Sequence, residues 1–306
     1  MLISIIVPVY HSAKFLHKLV EAIEVERIAH SWNLELILID DGSKDESFEV
    51  IKSLAAKYPY IRGLQHARNF GHQATVRLGL SVCKGDYIAI IDDDMQDPPA
   101  LLPNFFSYLD NGYSVAYGVR RKRKENFFKR TAYHLFYRIL KKMSAIEIPL
   151  DTGDFCVMKK EVAENMLKLQ EQNPFLRGIR AWVGFKQIGV EYDRPGRIDG
   201  QSGYTFRKLM KISIDAIFSF SILPVRLISM LGLIGLIGSL LFVIFTLLNW
   251  AMNRIPIQGY TSEIILISFF GSLTLICLGI IGEYVVRIYD EVKKRPHSIV
   301  SQTINL

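Results

Sequence analysis

The chain has 306 residues and a mass of 35.0 kDa, enough for one large domain and something smaller. Hydrophobic residues make up 50% and charged ones 22%, which excludes a disordered or low-complexity chain, and the mean hydropathy of +0.19 is high for a purely soluble protein. Three scattered cysteines (Cys83, Cys156, Cys277) give neither a disulfide framework nor a zinc module, and the net charge of +7 is concentrated in Arg120–Lys142, where ten Lys/Arg face one acid, Glu125.

In chain order, ISIIVPVY (3–10), LELILIDD (34–41) and DYIAIIDDD (86–94) are apolar, β-branched runs of strand length. Helical patterns separate them at 13–30, 45–57 and 73–83. This alternation predicts a doubly wound α/β sheet, its strands parallel and buried on both faces, with ligands at the strands' C-terminal ends. Neither GxGxxG nor GxxxxGK[ST] occurs, so an ordinary dinucleotide or P-loop site is disfavoured. Residues 204–223 read as an amphipathic helix lying on a membrane surface. Two charge-free stretches follow, 227–248 and 264–282, each long enough at about 1.5 Å per residue to cross roughly 30 Å of hydrocarbon. The connector holds only Arg254, whereas Arg287, Lys293, Lys294 and Arg295 follow the second stretch, which predicts a cytoplasmic tail and a cytoplasmic N-terminal domain. The domain boundaries expected are 1–205, 206–223, 224–289 and 290–306.

The chemistry concentrates at the predicted strand ends. Asp92, Asp93 and Asp94, followed by Gln96, close the third run; adjacent carboxylates repel unless a cation neutralises them, and an oxygen-rich set of this kind suits Mg²⁺ or Mn²⁺ shared with substrate phosphates. The second run ends in Asp40 and Asp41, the first in Pro8-Val9-Tyr10, offering carboxylates to a base or ribose and a ring to stack on a base. Ala67-Arg68-Asn69-Phe70-Gly71 precedes a helix that Gly71 opens toward an anion.

VPVY, IDDGS, ARNFG, DDDMQDPP, TGDF (152–155), FLRG (175–178), WVG (182–184), QSGY (201–204) and GEY (282–284) together resemble family 2 glycosyltransferases of the GT-A fold, specifically the polyprenyl-phosphate branch that includes bactoprenol glucosyltransferases and dolichyl-phosphate mannose synthases. The resemblance covers nearly the whole chain. It implies an inverting enzyme that moves one sugar from a nucleotide diphosphate, UDP-glucose by default, onto a polyprenyl phosphate at the cytoplasmic face of the bacterial plasma membrane. It implies Asp94 and Gln96 as metal ligands, Pro8, Tyr10, Asp40, Asp41, Arg68 and Asp93 on the donor, and Asp92 near the ribose or sugar. It places Asp154 at the position usually assigned as base, although a phosphate acceptor with a second pKa near ~6 is already largely ionised, which leaves an orienting role open. Arg120, Arg123, Arg130 and Arg207 are expected on the lipid phosphate, where guanidinium groups can bind in pairs.

A plain loop Asp capping the helix near Lys160 is the bland reading of Asp154. Cys156, His134, Gly203 and His72 depart from the family pattern and bear on acceptor binding and sugar choice. Galactose, N-acetylhexosamine, amino-arabinose and mannose donors stay open, as does a non-catalytic membrane scaffold; a processive synthase lacks its QxxRW motif here, and nucleic acid is not an expected partner. Gly232, Gly235 and Gly238 raise self-association as a further possibility.

Overall fold

The structure, a computed structural model, describes residues 1–120, 152–169, 171, 175–193 and 260–306, together with part of 228–252. It divides into two compact units. The first comprises residues 1–141, 146–205 and 295–306, the second 142–145 and 206–294.

The first unit is a three-layer α/β/α sandwich. Its strands are β1 (Leu2–Val9), β2 (Asn33–Asp40), β3 (Ile61–His66), β4 (Tyr87–Ile90), β5 (Val115–Arg120), β6 (Thr152–Lys159), β7 (Gln187–Tyr192) and β8 (Val300–Ile304). They form one sheet in the order β7-β5-β6-β4-β1-β2-β3-β8. β1 is apolar at nearly every position because helices cover both faces. Ile3, Ile5, Val7 and Val9 enter one core and Ile6 the other. Helices α1 (Ala13–Ala29), α2 (Ser47–Lys57) and α4 (Leu102–Asp110) cover the first face, with Leu16, Leu19, Ile51 and Phe105 buried. Helices α3 (His72–Val82), α5 (Lys160–Lys168) and α6 (Leu176–Trp182) cover the second with Val76, Leu80, Val162, Met166 and Ile179. Each such aliphatic side chain, fully buried, stabilises the fold by about 1.5–3 kcal/mol.

The sheet is mixed, which corrects the all-parallel expectation. β1 to β4 are mutually parallel, but β6 runs antiparallel to both β4 and β5, and β8 antiparallel to β3. Local alternation of strand and helix predicts β1, β2 and β4 but not β3, and is blind to the direction in which a later strand inserts. The inversion matters for function. Four parallel strands bring their C-terminal ends to one edge, and an antiparallel β6 delivers its first residues to that same edge. With Cys156 registered on Ile90, Asp154 falls beside Asp92.

Within the segment 290–306, expected to be a cytoplasmic tail, residues 300–304 pair with the sheet as β8. In the second unit, helix α7 (Tyr260–Lys293) contains a 25-residue segment, Phe269–Lys293, long and apolar enough to cross a membrane. The described residues between Ile228 and Leu248 are helical, and the remainder of that stretch lies outside the described residues, as does the expected interfacial helix at 206–223.

Candidate active site

The loops that leave β1, β2, β3 and β4 are tied together by carboxylates. Asp93 accepts the Tyr10 amide at 3.0 Å and so joins the ends of β4 and β1. Burial pushes its carboxyl up to about 6; the Ser12 hydroxyl and the Tyr10 amide oppose this, and the charges of Asp92 and Asp94 add to it. Asp41 accepts the Phe70 and Gly71 amides at 2.8 and 2.9 Å and faces His66 Nδ1 at 3.0 Å. The anion expected before α3 is thus the protein's own carboxylate. Asp40, fully buried, accepts the Ser43 amide and the Gln65 side-chain amide at 3.1 Å. Directly after them Gly42, at φ +66°, leaves no room for a side chain, since a Cβ would lie 2.5 Å from the Arg68 carbonyl carbon.

Pro8 is buried in β1 opposite Ile39, whereas Tyr10 is exposed, its ring edge-on to His11. Arg68 is exposed too and lies over the Phe70 ring at 4.0 Å. Pro8, Tyr10, Asp40, Asp41, Arg68 and Asp93 therefore gather around the ends of β1 to β4. The Gln96 backbone amide donates to Asp94 at 3.1 Å, and Met95 between them holds a left-handed backbone at φ 58°, a strain of about 1–3 kcal/mol of the kind that clusters at functional sites. Asp97 is fully buried and accepts the Tyr192 hydroxyl.

Charge alternates across the other half of the site. His72, the first residue of α3, bonds Asp92 through Nε2 at 3.1 Å and faces Asp154 through Nδ1 at 3.6 Å. Arg177, on the first turn of α6, grips Asp154 with two parallel bonds, from Nε at 2.8 Å and Nη2 at 3.0 Å. Burial lowers the His72 imidazole, but Asp92 and Asp154 outweigh burial and raise it to about 9, so it is a cation at neutral pH. Burial raises the Asp154 carboxyl; Arg177 first, then His72 and Arg180, hold it well below the usual carboxylate range.

Behind Asp154 a small cavity is lined by Val76, Ile90, Cys156, Met158, Arg177 and Arg180 among others. Arg180 is 3% exposed, with Nε and Nη2 lacking a hydrogen-bond partner, and it stacks over Tyr117 at 4.9 Å. Asp154 sits inside β6, not in a capping loop, so the bland reading fails.

The sequence reading missed His72, Arg177 and Arg180 as site members. In the sequence FLRG carries no role for its arginine, and His72 stands only as a departure from the family pattern. The backbone of Arg120 ends β5; its side chain, and Arg123, Arg130 and Arg207, lie outside the described residues.

Among the described residues no three His, Cys, Asp or Glu are grouped to hold a metal ion by themselves. The donor set still fits a hard divalent cation that keeps few protein ligands: an Asp94 carboxylate and a Gln96 side-chain amide oxygen, in a run of three adjacent carboxylates, Asp92 to Asp94.

The mixed α/β sheet, with carboxylates along the C-terminal edge of its parallel half, together with the family match that follows, gives a glycosyltransferase fold of GT-A type. Residues 4–167 match Glycosyl transferase family 2, and the chain belongs to that family and is a glycosyltransferase. It is 39% identical over 304 residues to a Bacillus subtilis (strain 168) protein described as the uncharacterized glycosyltransferase YkcC, covering 99% of this chain and 94% of the other. It is 33% identical to the SfII prophage-derived bactoprenol glucosyl transferase of Shigella flexneri, covering 99% and 98%. Among solved structures, glucosyl-3-phosphoglycerate synthase from Mycobacterium tuberculosis with Mg²⁺ and uridine diphosphate aligns with a TM-score of 0.49 at 17% identity, covering 70% of this chain and 76% of that one.

Proposed function

We propose that this chain transfers one sugar, glucose in the first instance, from a UDP-linked donor to a polyprenyl phosphate at the cytoplasmic face of a bacterial plasma membrane. The observation that carries the reading is the line Asp92–His72–Asp154–Arg177, which sets a cation and an ion pair beside the carboxylate cluster. Relatives named bactoprenol glucosyl transferase, matched over almost their whole length, support the acceptor class. The apolar α7 and the first charge-free stretch, 227–248, support a two-span anchor beside the lipid acceptor.

In this mechanism an acceptor phosphate oxygen attacks the anomeric carbon as the bond from that carbon to the diphosphate breaks. The configuration inverts, giving a β-linked lipid phosphosugar and free nucleoside diphosphate. A divalent ion held by Asp94 and Gln96 would neutralise charge that builds on the leaving diphosphate. Tyr10, whose amide Asp93 holds, and Arg68, whose loop Asp41 holds, bracket the nucleoside, while Asp40 ties the turn after β2 to Gln65. Asp154, held anionic by Arg177, is a poor proton acceptor. It orients His72 and Arg177 toward the incoming phosphate, whose oxygen needs no base because its second pKa is near ~6. The basic residues Arg120, Arg123, Arg130 and Arg207 receive the lipid phosphate.

The test is transfer of radiolabelled sugar to undecaprenyl phosphate by the full chain, across UDP- and GDP-sugars with Mg²⁺ or Mn²⁺, beside Asp94→Ala. Lipid-linked product from one donor, lost in the variant and with EDTA, establishes the reading. Absence of both product and donor binding for every sugar defeats it in favour of a scaffold.

A further inference from the structure

The last residues of the chain close the sheet edge next to the donor-side loop. β8 pairs antiparallel with β3, placing Gly63 opposite Ile304, Leu64 opposite Thr303, Gln65 opposite Gln302 and His66 opposite Val300. The register skips Ser301, a one-residue bulge, and the Ser301 hydroxyl donates to the Gln65 carbonyl at 3.1 Å. The bulge swaps the face of the strand. Ile304 packs on one core and Val300 on the other, although residues four apart in an unbroken strand share a face.

The pairing then runs past the end of β3. The Ala67 amide donates to the Ile299 carbonyl at 2.8 Å, one residue before Arg68. Loop 67–71 is thereby held at both ends, by Ile299 at Ala67 and by Asp41 at Phe70 and Gly71. At the other end of β8 the Asn305 side-chain amide caps the carbonyls of Ala55 and Ile61 at 3.3 and 3.1 Å.

We propose that β8 positions the donor: Ile299 and the bulge at Ser301 set the Ala67–Gly71 loop, and through it Arg68, for binding the nucleoside diphosphate. The proposal rests on the reading of loop 67–71 as part of the donor site. Mere edge protection would account for the ladder over 63–66 but not for a bulge that keeps the pairing going into the loop. β8 gives the two cores only Ile304 and Val300, each partly buried, while Ser301, Gln302 and Thr303 are exposed, so its removal takes one side chain from each core.

The experiment compares the full-length protein in detergent with a variant lacking residues 299–306 and with the milder pair Ser301→Ala and Asn305→Ala. Amide exchange is followed at Ala67, Phe70 and Gly71, together with UDP binding, the KM for UDP-glucose and the KM for undecaprenyl phosphate. The expectation is faster exchange at those three amides, a donor KM and UDP Kd raised about tenfold by release of a locally ordered loop, an unchanged acceptor KM, and recovery on adding a peptide of residues 296–306 but not its scrambled form. Unchanged exchange and unchanged donor KM in the deletion overturn the proposal. So does a loss confined to kcat and thermal stability, or a peptide that restores exchange protection without restoring donor affinity. If the intact protein uses no donor, the functional reading fails, and unchanged exchange at the three amides still decides against the clamp.

Discussion

His72 carries two opposing influences in one imidazole. Burial disfavours its charge, while Asp92 and Asp154 favour it and win, raising the pKa to about 9. A base whose pKa is raised on folding contributes stability that is fully present below its unfolded value, about 6.5, and is lost as pH rises through 9. Denaturation midpoints should therefore fall between pH 6.5 and 9 in the wild type, and the fall should shrink in His72→Lys, which stays charged across that window. A midpoint that is flat with pH in the wild type would show that His72 is not held as a cation. Asp154 gives the complementary expectation. With its carboxyl held far below the usual range by Arg177, the acid limb of kcat/KM should follow the acceptor phosphate near pH ~6. Arg177→Ala leaves a mostly buried carboxylate without its two-pronged partner. Because Arg177 is itself 32% exposed, we expect a destabilisation of about 2 kcal/mol, readable by urea titration, rather than the larger cost of a fully buried pair.

Turns and strand ends assemble the site, and two of their contacts are open to direct test. Gly42 lies at φ +66° against the backbone of Arg68 and Asn69, so Gly42→Ala combines a disfavoured conformation with a clash that no side chain can relieve. We expect at least about 2 kcal/mol of lost stability together with weaker UDP binding, measured by thermal melting and calorimetry. A variant that melts normally and binds UDP normally would mean that the 41–43 turn and the 68–69 loop are not packed as described. Tyr192→Phe removes a hydroxyl from the buried Asp97, at a cost of about 1–3 kcal/mol. The strands show how far local pattern reaches. The apolar runs at 3–10, 34–41 and 86–94 became β1, β2 and β4, because a strand covered on both faces carries few polar positions to confuse the pattern. β8 escaped because SQT in its centre is polar and exposed; its place in the sheet comes from backbone pairing with β3, which leaves almost no mark on side-chain choice.

At the scale of the whole molecule, the chain joins a family 2 catalytic unit to a helix whose 25-residue segment can cross a bilayer. The proposed orientation predicts that protease added to inside-out vesicles removes residues 1–205 and that protease added to right-side-out vesicles spares them. The reverse pattern would overturn the proposed orientation. The sequence by itself determined the family, the strand-end carboxylates and the apolar C-terminal stretches, because each is written in contiguous residues whose chemistry needs no distant partner. The tertiary structure alone decided the rest. Asp154 reaches Asp92 only because β6 inserts antiparallel, His72 becomes a cation only between two carboxylates from different strands, and the Ala67 amide finds its acceptor at Ile299, 232 residues away in sequence. Sequence patterns record what each segment buries; a pairing between segments is fixed by strand direction and register, and these are settled only when the sheet forms.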